Sequence, residues 1–143
     1  KLYQQYLNDE MILSTLRELL KKGVKVEVLM MPYPTGYTQD PNASFQDKLA
    51  AAGAHIKLIL DRYAHARAII VDDQMALIGS AQLSPPSLDY NKEVSLMIHG
   101  PVIRTLVDQF RKDQTSACSL KEGREKAFKR KIDWNKVNLM GLK

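Results

Sequence analysis

A helix that leads directly into a buried strand is the sequence feature that most constrains the fold of this chain. Four apolar residues repeat at helical spacing: Ile12, Leu16, Leu19 and Leu20. Lys21-Lys22-Gly23 then gives a basic last turn and a glycine stop. Residues 24–31 end as an almost wholly apolar run, which is typical of a strand covered on both faces. Together these patterns predict an α/β layer architecture.

The rest of the chain extends this architecture into a mixed β-sheet flanked by helices. Strand patterns recur at residues 2–6, 55–60, 68–71, 75–78 and 94–98. Asp72-Asp73-Gln74 has the composition of a hairpin turn between two of these strands. Ser44 and Asp47 have capping-box spacing before a short helix that ends at Gly53. The apolar positions of residues 102–110 predict one further amphipathic helix.

The charge distribution divides the chain at residue 117. Residues 1–117 contain 13 basic and 13 acidic residues, whereas residues 118–143 contain 8 and 3, so the net charge of +5 lies in the last segment. We interpret residues 1–117 as one domain with a truncated first strand and residues 118–143 as a basic C-terminal tail. Such a tail favours an anionic membrane surface or nucleic acid as a partner. The alternative is a solvated tail that only aids solubility.

Several classes of protein receive no support from the sequence. No uninterrupted apolar run approaches the ~20 residues of a membrane-spanning helix, and no segment resembles a secretion signal, so the compartment stays open. The single cysteine, Cys118, has no internal disulfide partner and is interpreted as inert. No metal or cofactor is predicted. Because position 1 is not methionine and the first strand is short, we expect the chain to be a piece of a longer protein.

The candidate chemical centre begins at His65. A histidine that leads into an apolar strand is more often structural than catalytic. However, His65 and Arg67 are two residues apart, so on a strand their side chains point to the same face. An imidazole can act as a nucleophile or proton carrier near neutral pH, and a guanidinium can hold phosphate oxygens. This pair therefore suits the cleavage of a phosphodiester.

Other polar residues follow at the ends of neighbouring strands. Ser80 and Gln82 repeat the two-residue spacing and offer a hydroxyl and an amide that could donate to the same phosphate oxygens. Glu93 begins the next strand and could accept from the far nitrogen of His65, which would fix its tautomer. In the loop of residues 32–42, Tyr33 and Tyr37 are candidates for lining a substrate entrance.

Three spaced motifs resemble the signature of the phospholipase D superfamily, which reads H-x-K-x4-D, then G-S-x-N, then N-x-E. Here they stand as His65-Ala66-Arg67 with Asp72, then Gly79-Ser80-Ala81-Gln82, then Asn91-Lys92-Glu93. The resemblance extends over most of residues 1–113. It implies the fold of one half of a phospholipase D-like protein.

The resemblance also implies a metal-independent cleavage of phosphodiester bonds through a phosphohistidine. His65 would be the nucleophile or the acid that assists it. The phosphate would be bound by Arg67, Ser80 and Gln82. Asp72 would brace the motif, and Glu93 would orient a histidine. Because only one motif is present, a second one must come from a homodimer partner or from a missing part of the chain. The implied substrate is a phosphodiester, with phospholipid ahead of nucleic acid.

Two positions depart from the family pattern. Arg67 replaces the motif's lysine and Gln82 replaces its asparagine, and an arginine fork is not equivalent to a compact ammonium group. These departures leave catalytic competence open. Two alternatives therefore stand beside the phosphodiesterase: a nuclease or nucleic-acid-binding relative, and a catalytically degenerate binding or assembly module.

Overall fold

The fold is built on a β-sheet whose strands come from both ends of the described chain. The computed structural model describes residues 1–32 and 40–129, so Tyr33, Tyr37 and the end of the tail lie outside the described residues. The elements are β1 (Leu2–Tyr3), α1 (Glu10–Lys21), β2 (Glu27–Met30), α2 (Ala43–Ala51), β3 (His55–Leu58), β4 (Ala68–Val71), β5 (Met75–Gly79), a π-helical turn (Pro86–Tyr90), β6 (Ser95–His99), α3 (Val102–Ser116), β7 (Cys118–Ser119) and α4 (Leu120–Lys129). Within these residues, no helix is both long and apolar enough to cross a membrane.

The sheet is mixed, as the sequence predicts. Its seven described strands lie in the order β6-β5-β4-β1-β2-β3-β7. Strands β1, β2 and β3 are parallel, while the β1–β4, β4–β5, β5–β6 and β3–β7 pairs are antiparallel. Helices α1 and α2 connect the three parallel strands, as crossover helices do in α/β folds. The prediction of an α/β fold with a mixed sheet is therefore confirmed.

Apolar residues cover both faces of the central strands. On one face, α1 and α2 bury residues against the sheet: Leu13, Leu16 and Leu49 pack with Leu2, Val28, Met30, Ile56 and Leu58. On the other face, α3 does the same: Ile103, Val107 and Phe110 pack with Tyr3, Leu29, Ala68, Ile70 and Ala76. Successive residues of a strand point to opposite faces, which is why β1 and β2 contribute to both clusters. The continuous apolar run in β2 is explained by this double burial.

The two first helices begin for different reasons. Helix α1 begins after Asp9, whose side chain accepts from the backbone N–H of Ile12 at 2.9 Å and so caps the first turn. The capping box expected for α2 is wrong, because the helix already begins at Ala43 and Ser44 lies inside it. The preceding Asn42 is buried and uses its side chain elsewhere. It accepts from the N–H of Leu7 at 3.0 Å and donates to the carbonyl of Gln5 at 2.9 Å.

The hairpin between β4 and β5 forms at the predicted turn. Asp72 and Asp73 both have positive φ, at 53° and 56°. A tight hairpin with two left-handed central residues matches the twist of the flanking strands, and aspartate tolerates this conformation better than most side chains. Asp72 is thus a turn residue of the hairpin.

Residues 118–129 belong to the fold and not to a free tail. Strand β7 pairs with the outer side of β3, and α4 follows it immediately. Arg124 of α4 contacts α2, because its guanidinium donates to Asp47 and to Gln46, each at 2.7 Å. The described part of the predicted tail thus packs on the domain, while the division of the chain at residue 117 stays a prediction.

Candidate active site

Three neighbouring strands bring the motif residues to one end of the sheet. Arg67 directly precedes β4, and its backbone carbonyl accepts from the N–H of Gly79 at 3.4 Å. Ser80 directly follows β5, and its N–H donates to the carbonyl of Val94 at 3.0 Å. Because β4 is antiparallel to β1, this end also holds the carboxyl ends of the parallel strands β1, β2 and β3. Ligands commonly bind at that end of an α/β sheet.

His65 and Arg67 lie in contact, as their two-residue spacing predicts. The Nη2 atom of Arg67 is 2.9 Å from Nε2 of His65. A guanidinium can only donate, so Nε2 of the imidazole accepts, and a neutral ring in this contact carries its proton on Nδ1. The lone pair of Nε2 therefore points to the group that would bind phosphate.

Ser80 is held by the carboxylate of Glu93 across the ends of β5 and β6. The Ser80 hydroxyl donates to Oε2 of Glu93 and also accepts from the N–H of Val94 at 3.1 Å. On the other carboxylate oxygen, Ser87 donates at 2.5 Å and the amide of Asn91 donates at 3.4 Å. Three side chains thus converge on one carboxylate at the rim of the site.

These contacts keep Glu93 ionised. Hydrogen bonds from Ser80 and Ser87 lower the pKa of Glu93 below its ordinary value of 4.5, and Asn91 and the charge of Arg67 act in the same direction. The predicted contact between Glu93 and His65 is not formed within the described residues. The carboxylate is instead occupied by the two serines and the asparagine, so its role as the partner of a histidine stays a prediction.

Gln82 uses both ends of its amide inside the protein. Its Oε1 accepts from the N–H of Tyr6 at 3.0 Å, and its Nε2 donates to Oε1 of Gln5 at 3.0 Å. The side chain is buried at 8% exposure. The amide expected to donate to phosphate is therefore bound to the segment that follows β1, and its role in binding phosphate stays a prediction.

An open cleft of about 520 Å³ lies over these residues. It is lined by Tyr6, Asn8, Pro41, Arg67, Ser80, Gln82, Ser84, Pro86, Ser87, Asn91 and Glu93. Two polar atoms at its wall, Nε of Arg67 and Oδ1 of Asn8, are buried and have no hydrogen-bond partner among the described residues. Both residues line the cleft, but these two atoms themselves have almost no exposed surface.

The sequence of this domain matches a known family. Residues 1–115 match the family model described as cardiolipin synthase, PLD-like domain. The chain belongs to this PLD-like domain family. The expected membership of the phospholipase D superfamily is thereby confirmed.

The PLD-like domain is similar to parts of larger proteins. It is 28% identical over 110 residues to the major cardiolipin synthase ClsA of Bacillus subtilis, covering 76% of this chain and 23% of that protein. It is 31% identical over 110 residues to cardiolipin synthase 2 of Bacillus anthracis, covering 76% of this chain and 21% of that protein. The chain thus spans roughly a quarter of the length of the curated relatives that it matches.

Solved structures of low sequence identity share the fold. Nuc from Salmonella typhimurium, a phospholipase D family member, superimposes with a TM-score of 0.74 at 16% identity and covers 82% of this chain and 78% of its own. NucT from Helicobacter pylori superimposes with a TM-score of 0.66 at 18% identity, and the match covers 83% of this chain and 80% of NucT. These likenesses extend over most of both chains and show that the fold is shared.

Asp72 is the one motif residue of the PLD-like domain that lies away from the site. It occupies the β4–β5 hairpin, at the opposite end of β4 from Arg67. Five residues of extended chain separate the two, which corresponds to roughly 16 Å. Asp72 therefore lies in the turn and away from His65, and its predicted role of bracing the motif stays a prediction.

Some residues of the PLD-like domain site were not singled out from the sequence. Ser87 joins Glu93 to the backbone N–H of Gln82, which donates to the Ser87 hydroxyl at 2.8 Å. Tyr63 packs its ring against His65, with ring centroids 5.7 Å apart. The two-residue spacing that links His65 to Arg67 also links Tyr63 to His65, so this signal was present. No comparable signal marks Ser87, because its irregular turn has no period.

The described residues contain no group of three or more His, Cys, Asp or Glu side chains placed to hold a metal ion. The polar groups of the cleft are instead a guanidinium, hydroxyls, amides and one carboxylate. Such a set can bind and orient a phosphate ester through hydrogen bonds and the charge of Arg67.

Proposed function

We propose that this chain is one lobe of a phospholipase D-type enzyme that transfers a phosphatidyl group by cleaving a phosphodiester bond. The observation that carries the proposal is the contact between Nη2 of Arg67 and Nε2 of His65 at 2.9 Å beside the cleft. A nucleophile and a phosphate-binding cation are joined there by one hydrogen bond. Membership of the PLD-like domain family of cardiolipin synthases supports the same chemistry.

Binding of the phosphate would release the nucleophile. In the empty site the guanidinium of Arg67 donates to the lone pair of Nε2, so this lone pair is protected. Negatively charged phosphate oxygens compete for the same donor and form stronger, charge-assisted hydrogen bonds. As Arg67 turns to the phosphate, Nε2 of His65 becomes free to attack.

The reaction then proceeds in two steps. The Nε2 lone pair of His65 forms a bond to phosphorus while the bond from phosphorus to the leaving alcohol breaks, and a second histidine gives its proton to that alcohol oxygen. Water or another alcohol next loses a proton to the second histidine and attacks phosphorus. The bond between phosphorus and nitrogen breaks, and His65 is regenerated. Ser80, fixed by Glu93, is placed to donate to a non-bridging oxygen.

A second lobe of the same fold would supply the second histidine. Beside the site, the face of β5 and β6 exposes the apolar side chains of Val94, Leu96 and Ile78, and Ile78 and Leu96 are cross-strand partners. This surface is continuous with Ser80 and Glu93, so a lobe seated on it would meet the cleft. The second lobe comes from another copy of the chain or from the rest of a longer protein.

The named relatives support a phospholipid as substrate. Their names identify cardiolipin synthases, and cardiolipin carries two phosphatidyl groups on one glycerol. A phosphatidyl transfer to a glycerol hydroxyl of phosphatidylglycerol forms such a product.

The test is an assay of the full-length protein on vesicles that contain phosphatidylglycerol, with lipid products measured by mass spectrometry. We expect His65→Ala to lower the rate by more than about 10³-fold, because it removes the covalent step. His55→Ala is the matched control, since this exposed histidine begins β3 at the opposite end of the sheet. Equal rates for the wild type and His65→Ala, or no turnover by the wild type, would reject the proposal.

A degenerate binding module is the second candidate, favoured by the engagement of Gln82. Its oxygen accepts from Tyr6 and one N–H of its amide donates to Gln5, so at most one N–H is left to donate to phosphate. If the two motif departures caused inactivity, Arg67→Lys combined with Gln82→Asn would raise a very low activity. Robust turnover by the wild type would reject this candidate.

A nucleic-acid partner depends on the charge of residues 118–143. In the described part of that segment, Arg124 pairs with Asp47 at 2.7 Å and Lys126 pairs with Glu122 at 2.6 Å. These charges are thus partly neutralised within the chain. DNA binding that weakens with salt, and that is lost when the residues beyond 129 are deleted, would support this partner over a lipid.

A further inference from the structure

Tyr63 presents an aromatic ring to the candidate nucleophile although most of its surface is exposed. Its side chain is 61% exposed, yet its ring centroid lies 5.7 Å from that of His65, with 30° between the ring planes. An exposed tyrosine gains little from burial of its own ring, so the fold does not need this contact for stability. The ring instead limits the orientations open to the imidazole.

The phenol of Tyr63 is itself held in place. Nε2 of Gln5 donates to the Tyr63 hydroxyl oxygen at 2.8 Å. Gln5 follows β1, and its backbone carbonyl accepts from the side chain of Asn42, a buried residue, at 2.9 Å. A side chain that is fixed by a buried part of the fold therefore anchors the outer end of the tyrosine.

Gln82 completes a continuous connection from the core to the imidazole. Nε2 of Gln82 donates to Oε1 of Gln5 at 3.0 Å, while Oε1 of Gln82 accepts from the N–H of Tyr6 at 3.0 Å. Gln5 thus has both ends of its amide bound, and its orientation is fixed. The sequence of contacts runs from Gln82 through Gln5 and Tyr63 to His65.

We propose that Tyr63 is a positioning residue that orients the imidazole of His65, and that Gln5 and Gln82 hold Tyr63 in place. The catalytic consequence rests on the proposed function, whereas the orientation of the ring does not. Tyr63 packs against the imidazole ring, so this contact still restricts rotation of the ring when Arg67 turns from Nε2 to the phosphate. A nucleophile held in one orientation attacks without a further loss of conformational freedom.

This connection gives a reason for glutamine at position 82. An asparagine is one methylene shorter, so its amide would not span the distance to both Tyr6 and Gln5. The residue that departs from the phospholipase D pattern is then the inner anchor of the imidazole. Degeneracy and positioning make opposite predictions for Gln82→Asn: activity rises or stays absent in the first case, and falls in the second.

The test measures the orientation of His65 and the reaction separately. The chain has three histidines, His55, His65 and His99, whose ring signals can be followed by NMR in the full chain. We expect Tyr63→Leu to shift the ring signals of His65, because the aromatic ring current is lost, while the signals of His55 and His99 stay. Tyr90→Leu is the matched control, since Tyr90 is an exposed tyrosine, at 83% against 61% for Tyr63, and has no ring contact to a histidine among the described residues.

The anchors are tested in the same way. Gln5→Ala and Gln82→Asn keep the Tyr63 ring but release its phenol, so both should broaden or shift the His65 signals by less than Tyr63→Leu does. Tyr63→Phe should behave like these anchor variants, since it retains the ring and loses only the hydroxyl. If none of the four variants changes the His65 signals, the positioning role is overturned, whatever the activity.

The kinetic arm uses the phosphatidylglycerol assay on the full-length protein. We expect Tyr63→Leu to lower kcat by up to about 10²-fold with little change in KM, since misorientation affects the reacting group and not substrate binding. Tyr63→Phe should recover most of this loss. Shifted His65 signals with an unchanged kcat would overturn the positioning role in catalysis. If the variants shift the His65 signals but the wild type has no turnover, the proposed function is rejected, and the role of Tyr63 in orienting the ring still stands.

Discussion

The two halves of the sheet differ in how much of each strand is covered. Strand β2, at the centre, buries all four of its residues, whereas β6, at the edge, exposes four of its five. The motif residues lie with the exposed half, at the ends of β4 and β5. Helices therefore cover both faces of the parallel half, whereas in the antiparallel half α3 covers part of one face and most of β6 is left exposed.

The largest effect that follows from this difference is on stability. Phe110 is fully buried under the sheet and packs edge-on against Tyr3, with ring centroids 5.0 Å apart. We expect Phe110→Ala to lower the free energy of unfolding by about 3–5 kcal/mol, since it leaves a cavity in the core. Leu96→Ala on β6, where the side chain is 66% exposed, should change it by less than about 0.5 kcal/mol. Urea unfolding of both variants measures the difference, and equal losses would contradict it.

A smaller effect is expected where α4 covers the buried half. A Cβ atom on Gly123 would lie 2.7 Å from Cβ of Leu58, which is buried and has little room to move. Although alanine usually stabilises a helix relative to glycine, we expect Gly123→Ala to cost about 1–3 kcal/mol because the site is overpacked. Lys121→Ala, at an exposed position of the same helix, is the control. A gain in the melting temperature of Gly123→Ala would show that α4 is not packed tightly on β3.

The smallest effect concerns the exposed half and depends on pH. Hydrogen bonds from Ser80 and Ser87 lower the pKa of Glu93 in the folded state below 4.5, so its ionised form adds stability above that pH. This stability is lost as the pH falls from 4.5 through the lowered pKa. The difference in unfolding free energy between the wild type and Glu93→Gln should therefore shrink on acidification.

Urea titrations at about pH 7 and about pH 3 measure this difference. Ser80→Ala is the companion variant, because it removes one donor and should move the pKa of Glu93 back toward its ordinary value. A difference between wild type and Glu93→Gln that grows as the pH falls would contradict the assignment.

Local patterns were sufficient for the elements whose stability is local or periodic. The helix period and the stop at Gly23 predicted α1, and the continuous apolar run predicted β2, because burial on both faces leaves a direct mark on the sequence. The hairpin at Asp72 and Asp73 was predicted for a similar reason, since a tight turn restricts the residue types it accepts.

Contacts between distant residues were not predictable in this way. The start of α2 was misplaced because Asn42 serves the segment after β1 and not the helix. The use of Gln82 was missed because its partner Gln5 lies 77 residues away. Within the site, spacing on a strand correctly paired His65 with Arg67, while no period relates Glu93 to its partner Ser87 on an irregular turn.

The edge position of β6 has a consequence for how such a protein is made. Among the described residues β6 pairs only with β5, so one row of its backbone N–H and C=O groups is open beside the apolar side chains of Leu96 and Met97. Edge strands of this kind are templates for aggregation. In the proposed enzyme, a second lobe seated on this edge would cover these open groups, and synthesis of two lobes in one chain would keep the correct neighbour at a high local concentration.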